Sequence, residues 1–237
     1  MSATFENSRA TLDRQLQRTL QLFWSPSEAV ADLGEKPGYV VPLVIATVGA
    51  VLIALISNRF VIAILASNVE TSLDPQKAAN ALDVVGRLQI VGYALTPLLL
   101  MLQWFAVAGL LLLTAAFLNG SMSFRASFCL IASVEVFSLI KSGFTLLIIF
   151  LRGSDRLTAL ADLQPPIGAN LLLPDAGEPL YTILGAINPF EIWYLVVLII
   201  GVRALNRFSR TQAAAAVLMA WALIMSLRAA VAMFSRT

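Results

Sequence analysis

Histidine is absent from the 237 residues, cysteine occurs once, at Cys129, and only 13% of the chain is charged. Without imidazole, the commonest general base and metal ligand are both missing. A single thiol forms no intramolecular disulfide. Several spacings that carry enzyme chemistry are missing too: His-Glu-x-x-His, Gly-x-Ser-x-Gly, paired intramembrane aspartates and a Walker-type glycine-rich loop. Hydroxyls within the apolar stretches have no base in register, so they are expected to bond backbone carbonyls. The expected protein is therefore no enzyme and uses no cofactor and no metal. Its 16 basic residues are scattered among 14 acidic ones, for a net charge of +2, which is no nucleic-acid-binding footprint. The N-terminal MSATFENSRATLDRQLQ lacks an apolar core and is expected to be retained rather than cleaved as a signal peptide.

What is abundant is apolar surface. The chain is 59% hydrophobic with a mean hydropathy of +0.83, against roughly half apolar and a quarter charged in soluble proteins. The expected fold is an all-α integral membrane protein with five transmembrane helices and an N-terminal amphipathic interfacial helix. Residues 1–37 form its cytoplasmic amphipathic part and residues 38–237 the five-span membrane domain.

Leu12, Leu16, Leu20 and Phe23 recur at helical spacing, with Arg14, Gln15, Arg18 and Gln21 elsewhere on the wheel. Such a helix is too polar to span, and it lies on the membrane surface or packs on the protein's own cytoplasmic side. Ser25-Pro26-Ser27-Glu28 then reads as a helix start with a capping box, and Gly34 and Pro37 as its stop after about two turns.

Residues 39–57 are the first expected span, an apolar run of about 27 Å that phenylalanine and isoleucine could lengthen as far as Ala66. Ala46, Ala50 and Ala54 suggest a close-packing seam along it. Residues 68–87 are polar and read as a connection in which a short helix outside the membrane, after Asp74-Pro75, leads into the second span. The second span, 90–118, contains Pro97, which should bend it, and Gln103, which needs a hydrogen-bond partner in lipid. Asn119-Gly120-Ser121 is a tight turn, making the second and third spans antiparallel neighbours.

The third span, 126–151, carries two charges, Glu135 and Lys141. The connection from Arg152 to Asn188 holds Asp155, Asp162, Asp175 and Glu178, with short helices expected over 154–163 and 180–186. The fourth span, 190–205, begins with Glu191, Trp193 and Tyr194, and the two rings fit an interfacial belt. The fifth, 213–234, is interrupted by Arg228, with Ala222, Ser226 and Ala230 as a second small-residue row.

With the N-terminus inside, the cytoplasmic flanks hold Arg9, Arg14, Arg18, Lys36, Arg125, Arg203, Arg207 and Arg210, and the other side holds Arg59, Lys77, Arg87, Arg152, Arg156 and Arg236. The excess favours a cytoplasmic N-terminus and an outer C-terminus.

Depth counting at 1.5 Å per residue places the polar residues on two levels. Glu135 lies about 12 Å from the cytoplasmic end, with Gln103 as its nearest partner by depth. A neutral Glu135 donating to Gln103 or to a backbone carbonyl is one expectation, and a proton or ligand site is its functional alternative. Lys141, Glu191 and Arg228 fall near the outer interface, where they read as an ion cluster, either structural or in contact with a lipid headgroup or substrate.

Two stretches carry a resemblance. LFWSPSEAVADLGEKPGYVVPL (22–43) and LYTILGAINPFEIWYLVVLIIGVRAL (180–205), together with the five-span order, resemble the Ypt-interacting-protein (Yip) domain family of membrane proteins in its bacterial branch. The resemblance implies a cytoplasmic N-terminus, a bacterial cytoplasmic membrane and a non-enzymatic role in membrane organisation or protein interaction. The Asp-Leu-Tyr-Gly-Pro-type and Tyr-Gly-x-x-x-Tyr-type signatures of eukaryotic relatives are absent, so it implies the topology and not their GTPase partners. The residues themselves leave open a second reading, a small transporter or channel component using Glu135. The partners implied are the lipid bilayer and either another membrane protein or a second copy of the chain.

Overall fold

In a hydrocarbon core every backbone N–H and C=O must be satisfied within the protein, so the apolar stretches have helix as their available spanning form. The computed structural model describes residues 2–70, 75–153, 156–177 and 179–234. Asp74, Asp155, Glu178 and Arg236, named above, lie outside them, as does the expected helix start at Ser154. Among the described residues the α-helices are α1 (Ser2–Gln21), α2 (Pro26–Glu35), α3 (Val40–Glu70), α4 (Pro75–Phe117), α5 (Phe124–Val134), α6 (Val136–Arg152), α7 (Leu180–Ala186), α8 (Pro189–Asn206) and α9 (Arg210–Phe234). Five segments are long and apolar enough to cross a membrane: Val40–Ala66, Asp83–Phe117, Phe124–Arg152, Pro189–Asn206 and Arg210–Val231. The chain is thus an all-helical membrane protein with five candidate spans.

Two of the expected boundaries move. The helix expected after Asp74-Pro75 does begin at Pro75, but it does not stop short of the second span: α4 runs as one helix of 43 residues from Pro75 through Pro97 to Phe117. Polarity marks where a helix leaves lipid, but Gln-Lys-Ala-Ala-Asn-Ala-Leu contains good helix formers and nothing that stops one. For the same reason α3 continues past residue 57 to Glu70. The third span moves the other way. It comprises two helices, α5 and α6, that meet at Glu135.

The described residues group into two compact units, of which the first comprises Met1–Ile45, Met101–Phe137 and Pro166–Thr237. Its centre is α5, where Ser127 through Val134 are all buried. A helix enclosed on every side is packed by neighbours all round, here including α2 and α8. Gly201 of α8 sets the closest approach, since a Cβ there would lie 2.5 Å from Leu130 Cδ1. Ala29, Val30 and Leu33 bury one side of α2, which packs on α8 as well. Ser25 stands at the N-cap of α2 but makes no side-chain capping bond, so the expected capping box does not form.

The turn between α4 and α5 is fixed from α8. Asn119 adopts φ +61°, and Asn206 Oδ1 accepts from the Met122 N–H at 2.8 Å. A Cβ on Gly120 would meet Asn206 Oδ1 at 2.7 Å and the Ala115 carbonyl at 2.9 Å, so glycine is required there. On α9 the buried small residues are Ala213, Ala216 and Ala220, whereas Ala222 and Ser226 are exposed. The expected row at 222, 226 and 230 is therefore not the packing seam within this unit.

The second unit comprises Ala46–Leu100 and Ser138–Pro165. Phe60, Ile64, Leu146, Ile149 and Leu157 form its core. The Arg59 guanidinium lies over the Phe150 ring at 4.4 Å and over Phe60 at 4.8 Å, a cation–π stack that offsets the cost of a cation beside an apolar core. Gly49 comes closest to α6, for a Cβ there would lie 2.6 Å from Leu139 Cδ1. Ala46 is buried and Ala50 and Ala54 are half-buried, so the seam expected from three alanines is centred on a glycine. Asp162 Oδ2 accepts from the Thr158 and Ala159 N–H groups, both at 2.8 Å. The two backbone donors hold its carboxyl below the usual range.

Candidate functional site

The intramembrane polar site is built around an interruption. Within α5, Ser133 Oγ donates to the Cys129 carbonyl at 2.8 Å, a back-bond of the kind that bends helices. Two residues later α5 ends and Glu135 forms its C-cap, with its N–H still bonded to the Ile131 carbonyl. The half-buried Glu135 side chain meets α4, where Gln103 Nε2 donates to Glu135 Oε1 at 3.3 Å. The structure thus brings together the two residues matched by depth. The amide is the donor and the carboxyl the acceptor.

Glu191 sits at the start of α8, where a local pattern explains it. Asn188 is the N-cap: its Oδ1 accepts from the Glu191 N–H at 2.9 Å, its Nδ2 donates to the Gly185 carbonyl at 2.9 Å, and Pro189 follows at the first helical position. A carboxylate in the first turn is favoured by the helix dipole. Glu191 Oε1 also accepts from Trp221 Nε1 at 3.1 Å, tying α8 to α9.

Tyr194, one turn further along α8 and half-buried, lies within electrostatic range of Glu135, Glu191 and Arg228. Depth counting separates these charges into two levels. Lys141 belongs to the second unit, where its carbonyl accepts from Thr145 Oγ1. Trp221 is the residue that sequence reasoning missed; a ring reads as an interfacial anchor until its polar tip is seen to have a partner.

The second candidate region is the N-terminal platform, where α1 turns polar residues inward. Gln15, Arg18, Thr19 and Leu22 are buried, whereas Leu12, Leu16 and Leu20 are 45%, 43% and 45% exposed. Polar contacts hold the inward face. Arg18 donates to the carbonyls of Lys36 and Gly38 at 2.8 and 2.7 Å and lies 3.6 Å from Asp32. Its cation thereby sits at the C-terminal end of α2, the end a helix dipole makes negative. Burial pulls the Arg18 pKa down and the Asp32 carboxylate pulls it back up. Arg14 also pairs with Asp32, and Gln15 Oε1 accepts from the Val41 N–H at 3.2 Å. The Phe23 ring lies against Phe137, tilted by 53° with centroids 4.3 Å apart.

Among the described residues no group of His, Cys, Asp and Glu is arranged to hold a metal ion. No curated protein and no solved structure matches the chain. A family model, the Yip1 domain, matches residues 20–231. The matched segment takes in α2, the five candidate spans, the Glu135 break and the Asn188 cap, and the family is not known as an enzymatic one. Since the match runs through nearly the whole chain, the protein belongs to the Yip1 domain family of membrane proteins.

Proposed function

We propose that this protein is a non-enzymatic membrane-organising or protein-interaction factor, with its N-terminus and platform on the cytoplasmic side and its C-terminus outside. The observation that supports this reading is the orientation of α1. Arg14, Gln15 and Arg18 make their contacts with α2 and the residues that follow, and Leu12, Leu16 and Leu20 face away from the protein. A helix held by its polar side, with an apolar stripe outward, suits the headgroup boundary of a bilayer. Trp24, 68% exposed, continues the apolar surface just beyond the helix end.

Deleting residues 8–24 is a poor test, since it removes Arg18 and Leu22 from the interior. A spin label at Leu16 or at the neighbouring exposed Gln17, in a Cys129→Ala background, separates the possibilities. At Leu16 oxygen should relax the label more strongly than a water-soluble nickel chelate, and at Gln17 the order should reverse. Equal exposure of both labels to the chelate would remove the bilayer from the reading and leave the stripe as a protein-binding surface.

A second reading, a small transporter or channel component, is favoured by one observation: Glu135 stands at the break of a span. An intramembrane carboxyl is costly and commonly functional. On this reading Glu135→Gln abolishes proton-coupled flux in reconstituted vesicles. Absence of flux in both versions, with assembly unchanged, would eliminate it.

A further inference from the structure

Gln103 is the one residue of the intramembrane polar pair that sits on an exposed face, and this carries a consequence for what surrounds α4. It lies fourteen residues from the end of α4 at Phe117, about 21 Å along the helix and so within a hydrocarbon core of about 30 Å. One amide hydrogen is used on Glu135. Among the described residues its carbonyl oxygen and second amide hydrogen have no hydrogen-bond partner. The same face presents Leu102 and Ala106, both exposed, so the amide is the polar point of an apolar surface. Hydrocarbon cannot satisfy it, and an unmet amide in lipid costs free energy.

We infer that this face of α4 is the contact between two copies of the chain, closed by a reciprocal hydrogen bond between the two Gln103 side chains. Two physical reasons select a second copy as the occupant. An amide carries both donor and acceptor, so it is complementary to itself. Copies inserted in one orientation are related by a two-fold axis along the membrane normal, which brings each residue opposite itself at one depth. Gln103 of one copy therefore meets Gln103 of the other without any further adjustment of height. Ala106, one turn away, keeps the approach of the two helices close. The bond to Glu135 is retained, because the pairing uses the amide's remaining donor and its acceptor. Glu135 then orients the amide across the interface.

Full-length protein in phosphatidylcholine vesicles tests this with two independent readouts. In a Cys129→Ala background, oxidation should link Gln103→Cys into dimers, while Leu223→Cys, exposed on α9, stays monomeric. Gln103→Leu should weaken dimerisation about 3- to 30-fold in a dilution series followed by single-molecule photobleaching, the range for one interhelical polar contact in lipid. Three results overturn the inference: wild-type protein that remains monomeric at every density, dimers that form without a Gln103→Cys cross-link, or rapid labelling of Gln103→Cys by a membrane-impermeant maleimide. The last would make the face a water-lined path instead.

Discussion

Replacing Asp32 by alanine is expected to open the α1–α2 platform, at a cost of about 3–5 kcal/mol. Arg18 is 2% exposed and keeps its charge among protein atoms. Its compensation comes from Asp32 and from the carbonyls of Lys36 and Gly38. Removing the carboxylate leaves an enclosed cation facing dipoles alone, and it releases Arg14 from the same partner. A buried ion pair contributes little net stability when whole, but losing one member exposes the full desolvation cost of the other. The double variant Asp32→Ala with Arg18→Met should therefore recover part of the loss, with the two carbonyls still unmet. The measurement is the rate of proteolysis in the link 22–25, which reports local opening. The single variant should be cut about a hundredfold faster or more, and the double variant at an intermediate rate. Equal rates in wild type and Asp32→Ala would show that the apolar contacts of Leu22 and Phe23 hold the platform without the charges.

Gly201→Leu carries the second large effect and should prevent α8 from seating on α5. Already at alanine the new Cβ would lie 2.5 and 2.7 Å from the two Leu130 methyls. Leu130 is fully buried at the centre of the first unit, so it has no free volume to turn into. Overpacking of this kind costs about 1–3 kcal/mol for small insertions, and leucine adds three further carbons at the same point. Gly143 supplies the contrast, since nothing lies within 4 Å of a Cβ there. Gly143→Ala should stabilise the protein by up to about 1 kcal/mol through helix propensity alone. Thermal unfolding in detergent should move down for Gly201→Ala, further down for Gly201→Leu, and slightly up for Gly143→Ala. A Gly201→Ala midpoint equal to wild type would mean that α5 and α8 can separate without loss.

The family resemblance rests on residues whose work is now visible. Asn188 and Pro189 in the stretch 180–205 start α8, Glu191 bonds Trp221, and Gly201 admits Leu130. In the stretch 22–43, Leu22, Ala29, Val30 and Leu33 are buried, and the carbonyls of Lys36 and Gly38 receive Arg18. Several of these contacts are made by small or apolar side chains and by backbone carbonyls, and so the corresponding motifs look degenerate when read as letters.

The sequence by itself determined the membrane class, the helical form and the approximate positions of five spans, and it offered Gln103 as one of two candidate partners for Glu135. All of these depend on properties local to a segment: apolar length against bilayer thickness, and height along a helix axis. Only the tertiary structure decided which way α1 faces. The hydrophobic wheel assigns its leucines inward in a soluble setting, but Arg18 and Gln15 found their partners in α2 and the residues after it, a pairing that depends on how two helices cross. It also decided that the third span breaks at Glu135, because a serine back-bond competes with the helix there. And it joined Glu191 of α8 to Trp221 of α9 through a side-chain hydrogen bond. Rotation of one helix against another is absent from any single segment, and that rotation determines which polar groups meet.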